Sequence, residues 1–474
     1  MVPQSAQSVV KVSDFAANHP TLDRICRPLG MYHVYTSVWF SAIYLLLFIS
    51  LIGCIVPRIV SHAKALRRQP PRVPARLDRL AAHASMTTSA SAAEVSQRAQ
   101  QWLTSHRYRF VVDDDGSLRA EAGRHRETGN LVFHIFLVFV LVGVGWNTLW
   151  GFKGTSVVVE GQGFSNSITQ YDEFKAGAMV DTDNLTPFSM KLRKFVVSFE
   201  TGTVQRGAAR SFDATVDLTM GGKTQTRDLQ VNHPLRIGST KVHLLGHGYA
   251  ADVVVRDGDG KVAYSGPVVF LPQDANFKSV GVIKAPDARP DRLAFQGFFL
   301  PTGAITAGGP TSLFPDALNP QLYLTAWYGK PTVETGVPSN IYTLDTTGLT
   351  QVTNGKDKAR FVLSPGQRYK LPDGKGSIQF NGWQRWAKIQ VSQNPGLPLT
   401  FLSVVLSVAG LCVSLFSRSR RVWVRTIPGD DGLRVEIGGL DRSDSRSGAV
   451  DDVNSLLAAL HGDSMSGDVG EEHS

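Results

Sequence analysis

One imidazole is the first candidate for chemistry in this sequence. His134 lies inside the apolar stretch Leu131 to Trp150, in which no other side chain titrates near neutral pH. Imidazole can bind a metal through a ring nitrogen or exchange a proton near pH 7. Within a long apolar helix it is costly unless it faces a partner, a cavity or a cofactor. His134 is therefore the leading candidate functional residue.

Three more histidines lie close together in the sequence: His233, His243 and His247. Their spacing is typical of a strand–turn–strand unit, and no carboxylate or thiol at ligand spacing supports a metal site. We interpret them as structural, with a metal role as the alternative. We expect Gly246 and Gly248 to hold His247 in a strained turn.

Several classes of chemistry have no motif in the sequence. The three cysteines form no C-x-x-C or C-x-x-C-H, so the chain is neither a thioredoxin-like reductant nor itself a c-type cytochrome. A nucleophile elbow, a P-loop, a zincin helix and a Rossmann fingerprint are also missing.

Three apolar stretches must position His134. Val38 to Val56, Leu131 to Trp150 and Leu397 to Phe416 are each 19 or 20 residues long. A helix of that length crosses the ~30 Å hydrocarbon core. A backbone in lipid must satisfy its own hydrogen bonds, so these stretches are helices. We predict a multipass α-helical protein of the plasma membrane, with spans at 38–56, 130–150 and 396–416.

Basic residues predict the orientation of these spans. Residues 57–129 carry 13 Lys and Arg against 7 Asp and Glu, and further arginines follow the third span, whereas residues 151–170 offer only Lys153. Under the positive-inside rule, 57–129 and the C-terminal tail 417–474 are cytoplasmic and 151–395 is extracytoplasmic. The formal charge of +9 then reflects topology and suits contact with anionic lipid. We predict no nucleic-acid partner.

The soluble segments differ in pattern. The basic loop 57–129 predicts a small α/β element with a hairpin, Tyr108 to Val112 and Ser117 to Ala120. The tail predicts a hairpin turned at Gly429 to Gly432 and a short helix near Val453 to Leu460, the rest being partly disordered.

Residues 151–395 predict a large all-β domain, a sandwich or open barrel. The predicted strands are Ser156 to Glu160, Phe195 to Phe199, Ala214 to Leu218, Lys241 to Leu245, Asp252 to Val255, Val280 to Ile283, Leu322 to Ala326, Arg360 to Leu363, Ser377 to Phe380 and Lys388 to Val391.

The N-terminal segment 1–37 is predicted to be extracytoplasmic, yet it contains no signal peptide and no apolar run that could export it. We expect a further apolar helix upstream that ends near Val2. The alternative is a first span that inserts unaided with its N-terminus outside.

Together, several segments resemble the ResB family of cytochrome c biogenesis proteins over about residues 30 to 427. They are Val34 to Tyr44, Cys54 to Arg58, Arg126 to His134, Val231 to Leu235, Gly246 to Ala250, Phe299 to Thr302 and Arg421 to Arg425. The family normally has four spans, which agrees with the expected upstream helix.

The resemblance implies a role in the system II machinery that attaches haem to exported apocytochrome c. It implies a CcsA/ResC-type haem-handling partner, a thiol-reducing protein as a further partner, and a transient haem b shared with the CcsA/ResC-type protein. The chain would be a subunit of a holocytochrome c synthase (haem lyase) complex and not catalytic alone. The family places a haem-ligating histidine near the cytoplasmic end of the span before the outer domain. That position matches His134.

The residues around His134 are consistent with this role. His134 lies four residues into its span, and Phe133, Phe136, Leu137 and Val140 are expected to form an apolar wall around a haem. One imidazole supplies one ligand, so the second comes from elsewhere. Three alternatives remain: a His134 that only hydrogen-bonds a neighbouring helix, a membrane scaffold that presents apocytochrome or reductant without binding haem, and a sensor, for which no output segment is present.

Overall fold

The computed structural model describes residues 2–5, 9–331, 343–355, 357–429, 432–441 and 447–461. Two compact units make up the chain: unit 1 comprises Met1–Gly145 with Gly396–Ser474, and unit 2 comprises Trp146–Pro395. Most of the regular structure is β-sheet.

Three of the described α-helices are long and apolar enough to cross a membrane, by length and composition: α3, α5 and α6. The helices are α1 Val9–Asn18, α2 Pro20–Cys26, α3 Val38–Arg67, α4 Ala92–Ser105, α5 His125–Trp150, α6 Leu397–Phe416 and α7 Ser447–His461.

The helix α3 continues well beyond the apolar stretch that predicted it. The Oγ of Ser37 caps its first turn by accepting a hydrogen bond from the amide of Phe40 at 3.3 Å. Pro57 lies inside the helix and has no N–H, so one backbone hydrogen bond of the helix is missing there. The helix then runs on to Arg67 because the following residues include good helix formers such as Ala63, Lys64 and Ala65.

The strands are numbered in chain order. The first thirteen are β1 Ala82–Thr88, β2 Arg109–Val112, β3 Leu118–Ala122, β4 Phe152–Val159, β5 Gly163–Ser165, β6 Glu173–Ala176, β7 Ser189–Phe199, β8 Ala209–Met220, β9 Lys223–Gln230, β10 Leu235–Ile237, β11 Thr240–Asp257, β12 Val262–Pro272 and β13 Ser279–Ala285. The others are β14 Arg292–Leu300, β15 Gly303–Thr306, β16 Gly309–Ser312, β17 Gln321–Gly329, β18 Thr350–Gln351, β19 Thr353–Asn354, β20 Asp357–Lys358, β21 Arg360–Leu363, β22 Arg368–Lys370, β23 Gly376–Gln393, β24 Arg420–Gly429 and β25 Gly432–Asp441.

Unit 1 contains an antiparallel sheet in the order β1-β25-β24-β3-β2. The predicted hairpins β2–β3 and β24–β25 and the helix α7 are confirmed. The sequence did not predict that the loop before α5 and the tail after α6 would share this one sheet, through pairing of β3 with β24. Helices α4 and α7 pack their apolar residues on it. Tail residues 442–446 and 462–474, which fall within the segment predicted to be partly disordered, lie outside the described residues.

Every regular element described between residues 151 and 395 is a strand or a single 3-10 turn, which confirms the all-β prediction. The largest sheet follows the path β18-β17-β14-β13-β12-β11-β23-β4-β6, and a second one follows β5-β7-β8-β9. Two apolar cores result, and both receive side chains from β11 and β23, which pair along their whole length. These two long strands connect the halves of unit 2.

Four of the predicted strands form only two strands in the structure, each of which contains two of them. Lys241 to Leu245 and Asp252 to Val255 both belong to β11, and the last two predicted strands both belong to β23. β-Bulges at Leu244/Gly246 and at Asp252/Val253 shift the register and interrupt the alternating pattern without ending the strand. Sequence reasoning took these interruptions for turns.

Candidate functional site

Helices α3 and α5 are joined side by side by polar contacts. A hydrogen bond of 2.9 Å links the ring Nε2 of His62 to Oγ1 of Thr128. Nearer the sheet, Nη2 of Arg124 donates to the carbonyl of Ala65. In the apolar portion, the hydroxyl of Tyr44 donates to the carbonyl of Leu141. These contacts fix the antiparallel register of the two helices.

Helices α5 and α6 pack closely through small residues. A Cβ on Gly129 would lie 2.6 Å from the carbonyl oxygen of Gly410, so a larger residue cannot fit there. The Oγ of Ser407 donates to the carbonyl of Phe133 at 3.2 Å. Small residues are the usual means of close helix approach in membranes. This packing fixes α5, and with it His134.

A cavity of about 450 Å³ opens within unit 1. Its walls come from α3, from the first turns of α5, and from the sheet where β3 ends and β24 begins. Both His62 and His134 line it. Pockets that bind small molecules usually measure ~300–1,000 Å³. The cavity is therefore large enough to receive a ligand.

The ring orientation of His134 is set by its own helix. Its Nδ1 donates to the carbonyl oxygen of Asn130 at 2.7 Å. Because a carbonyl can only accept, the neutral ring carries its proton on Nδ1, and Nε2 keeps its lone pair. No hydrogen bond to Nε2 occurs within the described part of the chain. Metal-ligating histidines are commonly fixed in this way, through a hydrogen bond from the second ring nitrogen.

A second, apolar space lies between α3 and α5. An apolar cleft of about 170 Å³ lies between Ile52, Ile55 and Val56 of α3 and Ile135, Val138 and Phe139 of α5. None of Phe133, Phe136, Leu137 and Val140 lines this cleft or the cavity. At ~100° per residue, positions 135, 138 and 139 fall on one side of α5 and the four predicted residues on the other. Phe133 nevertheless contacts His134, with ring centroids 5.0 Å apart, and the wall around a bound haem stays a prediction.

The cavity wall is rich in positive charge. Arginines outnumber glutamates by four to two; they are Arg58, Arg68, Arg124 and Arg421 against Glu121 and Glu127. The Nε of Arg124 lies 3.3 Å from Oε1 of Glu121. Such a wall favours an anionic ligand.

The sheet places Arg421 at the cavity. Residues of β24 alternate between the two faces of the sheet: Val422 and Val424 enter the core under the helices, while Arg421 lines the cavity. On the same side as Arg421, the indole Nε1 of Trp423 donates to the carbonyl of Pro71 at 3.0 Å. The segment Arg421 to Arg425, which carried part of the family resemblance, therefore packs one face into the core, and Arg421 on its other face lines the cavity.

In unit 2, His247 lies within the strand β11 and not in a strained turn, so that expectation was wrong. Neither flanking glycine has a positive φ, and a Cβ on Gly248 would overlap the ring of Trp386. His247 stacks on Phe277 with ring centroids 4.6 Å apart, and three more phenylalanines surround it. Burial, with a smaller contribution from Arg385, lowers its pKa to about 4.

Nothing in the described residues groups three His, Cys, Asp or Glu side chains as a metal site would require. Burial and the nearby charge of Lys241 lower the pKa of His243. The backbone of His233 forms an isolated bridge with Gln230. Packing therefore supports the structural interpretation for His247. For His233 and His243 that interpretation stays a prediction.

Sequence reasoning missed His62 and Arg58. Both lie beyond the apolar stretch, where the basic residues were used for topology, and Arg58 also for the family resemblance, but neither residue was assigned to a site. Their spacing of four residues would place them on one face of a helix if α3 were known to continue to Arg67.

The model of the ResB-like family matches residues 1–450 of this chain. The chain belongs to the ResB-like family. This ResB-like chain is similar to proteins named cytochrome c biogenesis protein CcsB. It is 24% identical over 406 residues to that of Synechococcus sp. (strain JA-3-3Ab), covering 84% of this chain and 72% of the relative. It is 21% identical over 415 residues to that of Microcystis aeruginosa (strain NIES-843 / IAM M-2473), covering 87% of this chain and 77% of the relative. It is 28% identical over 211 residues to that of Picosynechococcus sp. (strain ATCC 27264 / PCC 7002 / PR-6), covering 44% of this chain and 42% of the relative.

Proposed function

We propose that this ResB-like chain is a membrane-spanning component of cytochrome c maturation that binds haem through His134. The names of its relatives refer to cytochrome c biogenesis. The observation that carries the haem proposal is the hydrogen bond from Nδ1 of His134 to the carbonyl of Asn130, at a cavity next to an apolar cleft. This arrangement leaves Nε2 as the ring atom able to bind iron.

The proposed topology has three spans, α3, α5 and α6, in the plasma membrane. Residues 57–129 and 417–474 are cytoplasmic, and residues 151–395 are extracytoplasmic. Excess basic charge in 57–129 supports this orientation. Pairing of β3 with β24 adds support, because two strands of one sheet must lie on the same side of the membrane.

Haem is the cargo in this proposal. His134 would supply one ligand to the haem iron, and the second would come from the CcsA/ResC-type partner or from elsewhere in this chain. The apocytochrome thiols then add across the two vinyl groups: each addition breaks one S–H bond and the π bond of one vinyl group and forms one C–S and one C–H bond, with no net oxidation. A thiol-reducing protein keeps those thiols reduced. This chain binds and orients haem and is not catalytic alone.

Absorbance of the purified complex tests the proposal. The complex is isolated through a tag on the full chain, and its Soret band is compared for wild type, His134→Ala and the control His125→Ala. His125 lies on the same helix but not at the cavity. We expect His134→Ala to lose most of the haem and imidazole to restore part of it, while His125→Ala stays red. An unchanged Soret band in His134→Ala would exclude the proposal and favour a scaffold that does not bind haem.

A further inference from the structure

We propose that the arginine-rich cavity binds the two propionate groups of haem, so that the vinyl edge lies in the apolar cleft. This rests on the proposed function and adds to it the direction in which haem is held. The relevant features are the polarity change along α3 and α5, the charge of the cavity and the state of Arg58.

Along both α3 and α5, the residues that line the two spaces change from apolar to polar at matching positions. On α3, Ile52 and Val56 border the apolar cleft, Ile55 borders both spaces, and His62 borders the cavity. On α5, Val138 and Phe139 border the cleft, while Asn130 and His134 border the cavity. An iron atom on His134 would therefore have apolar walls on one side and a charged cavity on the other.

Haem has the matching asymmetry. One edge of the macrocycle carries two carboxylates, and the opposite edge carries only apolar substituents. The cavity has two more arginines than glutamates. This surplus equals the charge of the two propionates. A carboxylate buried among apolar residues without a cation would be strongly disfavoured, so the reverse orientation is costly.

Arg58 is the arginine best placed to bind a propionate. It follows Ile55 by three residues, a rise of ~4.5 Å on a helix, and lies on the cavity side. Within the described residues it has no hydrogen bond or ion pair, whereas Arg124 is already engaged with Glu121 and the carbonyl of Ala65. Guanidinium binds a carboxylate through two parallel hydrogen bonds. The exposed guanidinium of Arg58 is therefore free to bind an anion such as a haem propionate.

Two iron porphyrins distinguish carboxylate binding from iron binding. Haem b carries two propionates, and iron octaethylporphyrin carries none but has the same ring and metal. The complex purified through the full chain is stripped of haem and titrated with each porphyrin, in the reduced state, by Soret absorbance. The variants are Arg58→Gln, Arg58→Lys, His134→Ala and the control Arg67→Gln. Arg67 lies on α3 but not at the cavity.

We expect Arg58→Gln to weaken haem b binding about tenfold or more, the loss of one charge-assisted pair, and to leave octaethylporphyrin binding unchanged. Arg58→Lys should restore part of the haem affinity, and Arg67→Gln should alter neither. His134→Ala should weaken both porphyrins. If Arg58→Gln weakens both equally or neither, while His134 still governs both, the orientation is wrong and the haem proposal stands. If binding of neither porphyrin depends on His134, the proposed function itself fails, and the orientation with it.

Discussion

The hydroxyl of Tyr108 donates a hydrogen bond of 2.6 Å to Oδ2 of Asp452, across 344 residues of chain. Nη1 of Arg420 binds both carboxylate oxygens of Asp452, at 2.9 and 2.8 Å. Burial, and then the bond to Asp452, raises the pKa of Tyr108. One carboxylate on α7 therefore joins the segment before α5 to the tail after α6.

Removing that charge should loosen the helix–sheet element of unit 1. Asp452→Asn leaves Arg420 only the longer contact with the carboxylate of Asp441, at 4.0 Å, and we expect about 2 kcal/mol less stability. Thermal unfolding of the full chain in detergent measures this. The neighbouring Asp451 is exposed, so Asp451→Asn is a matched control and should change little. Equal effects of the two variants would contradict the role given to Asp452.

The proposed topology predicts which side chains a membrane-impermeant thiol reagent can reach. Ser265→Cys and Asp373→Cys, both at exposed positions of unit 2, should be labelled in intact cells once the native cysteines are replaced. Ser89→Cys, exposed in unit 1, should react only after permeabilisation. Labelling of Ser89→Cys in intact cells would reverse the orientation and put the His134 cavity on the outer side.

Close packing of α5 on α6 predicts that a large residue is not tolerated at Gly410. A Cβ there would lie 2.8 Å from the amide nitrogen of Phe133. We expect Gly410→Leu to cost about 1–3 kcal/mol and to lower haem retention, because α5 carries His134. Gly53 lies on α3 with nothing within 4 Å of its Cβ position, so Gly53→Leu serves as the control. Equal melting temperatures for the two variants would show that the close contact between α5 and α6 does not contribute to stability.

The aromatic site of His247 predicts a pH dependence of stability. Its folded-state pKa of about 4 lies below the ordinary value of 6.5, so the unfolded state takes up the proton first as the pH falls. Stability from this residue is present above about pH 6.5 and is lost as the pH falls toward 4, on the order of 2 kcal/mol by pH 5.

Melting temperatures of the full chain between pH 7 and 5 test this. We expect His247→Phe, which can fill the same aromatic site, to flatten the profile. His83→Asn, at an exposed position, should leave the slope unchanged. A wild-type slope retained in His247→Phe would show that another group titrates.

Much of the fold was predictable because its signals are local. The hairpin turned at Gly429 to Gly432 needs only a turn between two alternating segments, and it forms as expected. The strand β11 was divided in two because a bulge beside Gly246 looks like a turn in the sequence. Whether such a glycine ends a strand depends on its partner, and here β23 pairs along the whole length.

Local patterns were sufficient to predict the apolar helices, the β-rich character of residues 151–395 and the candidate His134, because length, alternation and an isolated imidazole are properties of short segments. The surroundings of His134, in contrast, depend on long-range contacts. The cavity takes Arg58 and His62 from a helical extension and Arg421 from a strand in the tail. Which residues meet there depends on the register of α3 against α5 and on the pairing of β3 with β24, and both are set by contacts between segments far apart in the chain.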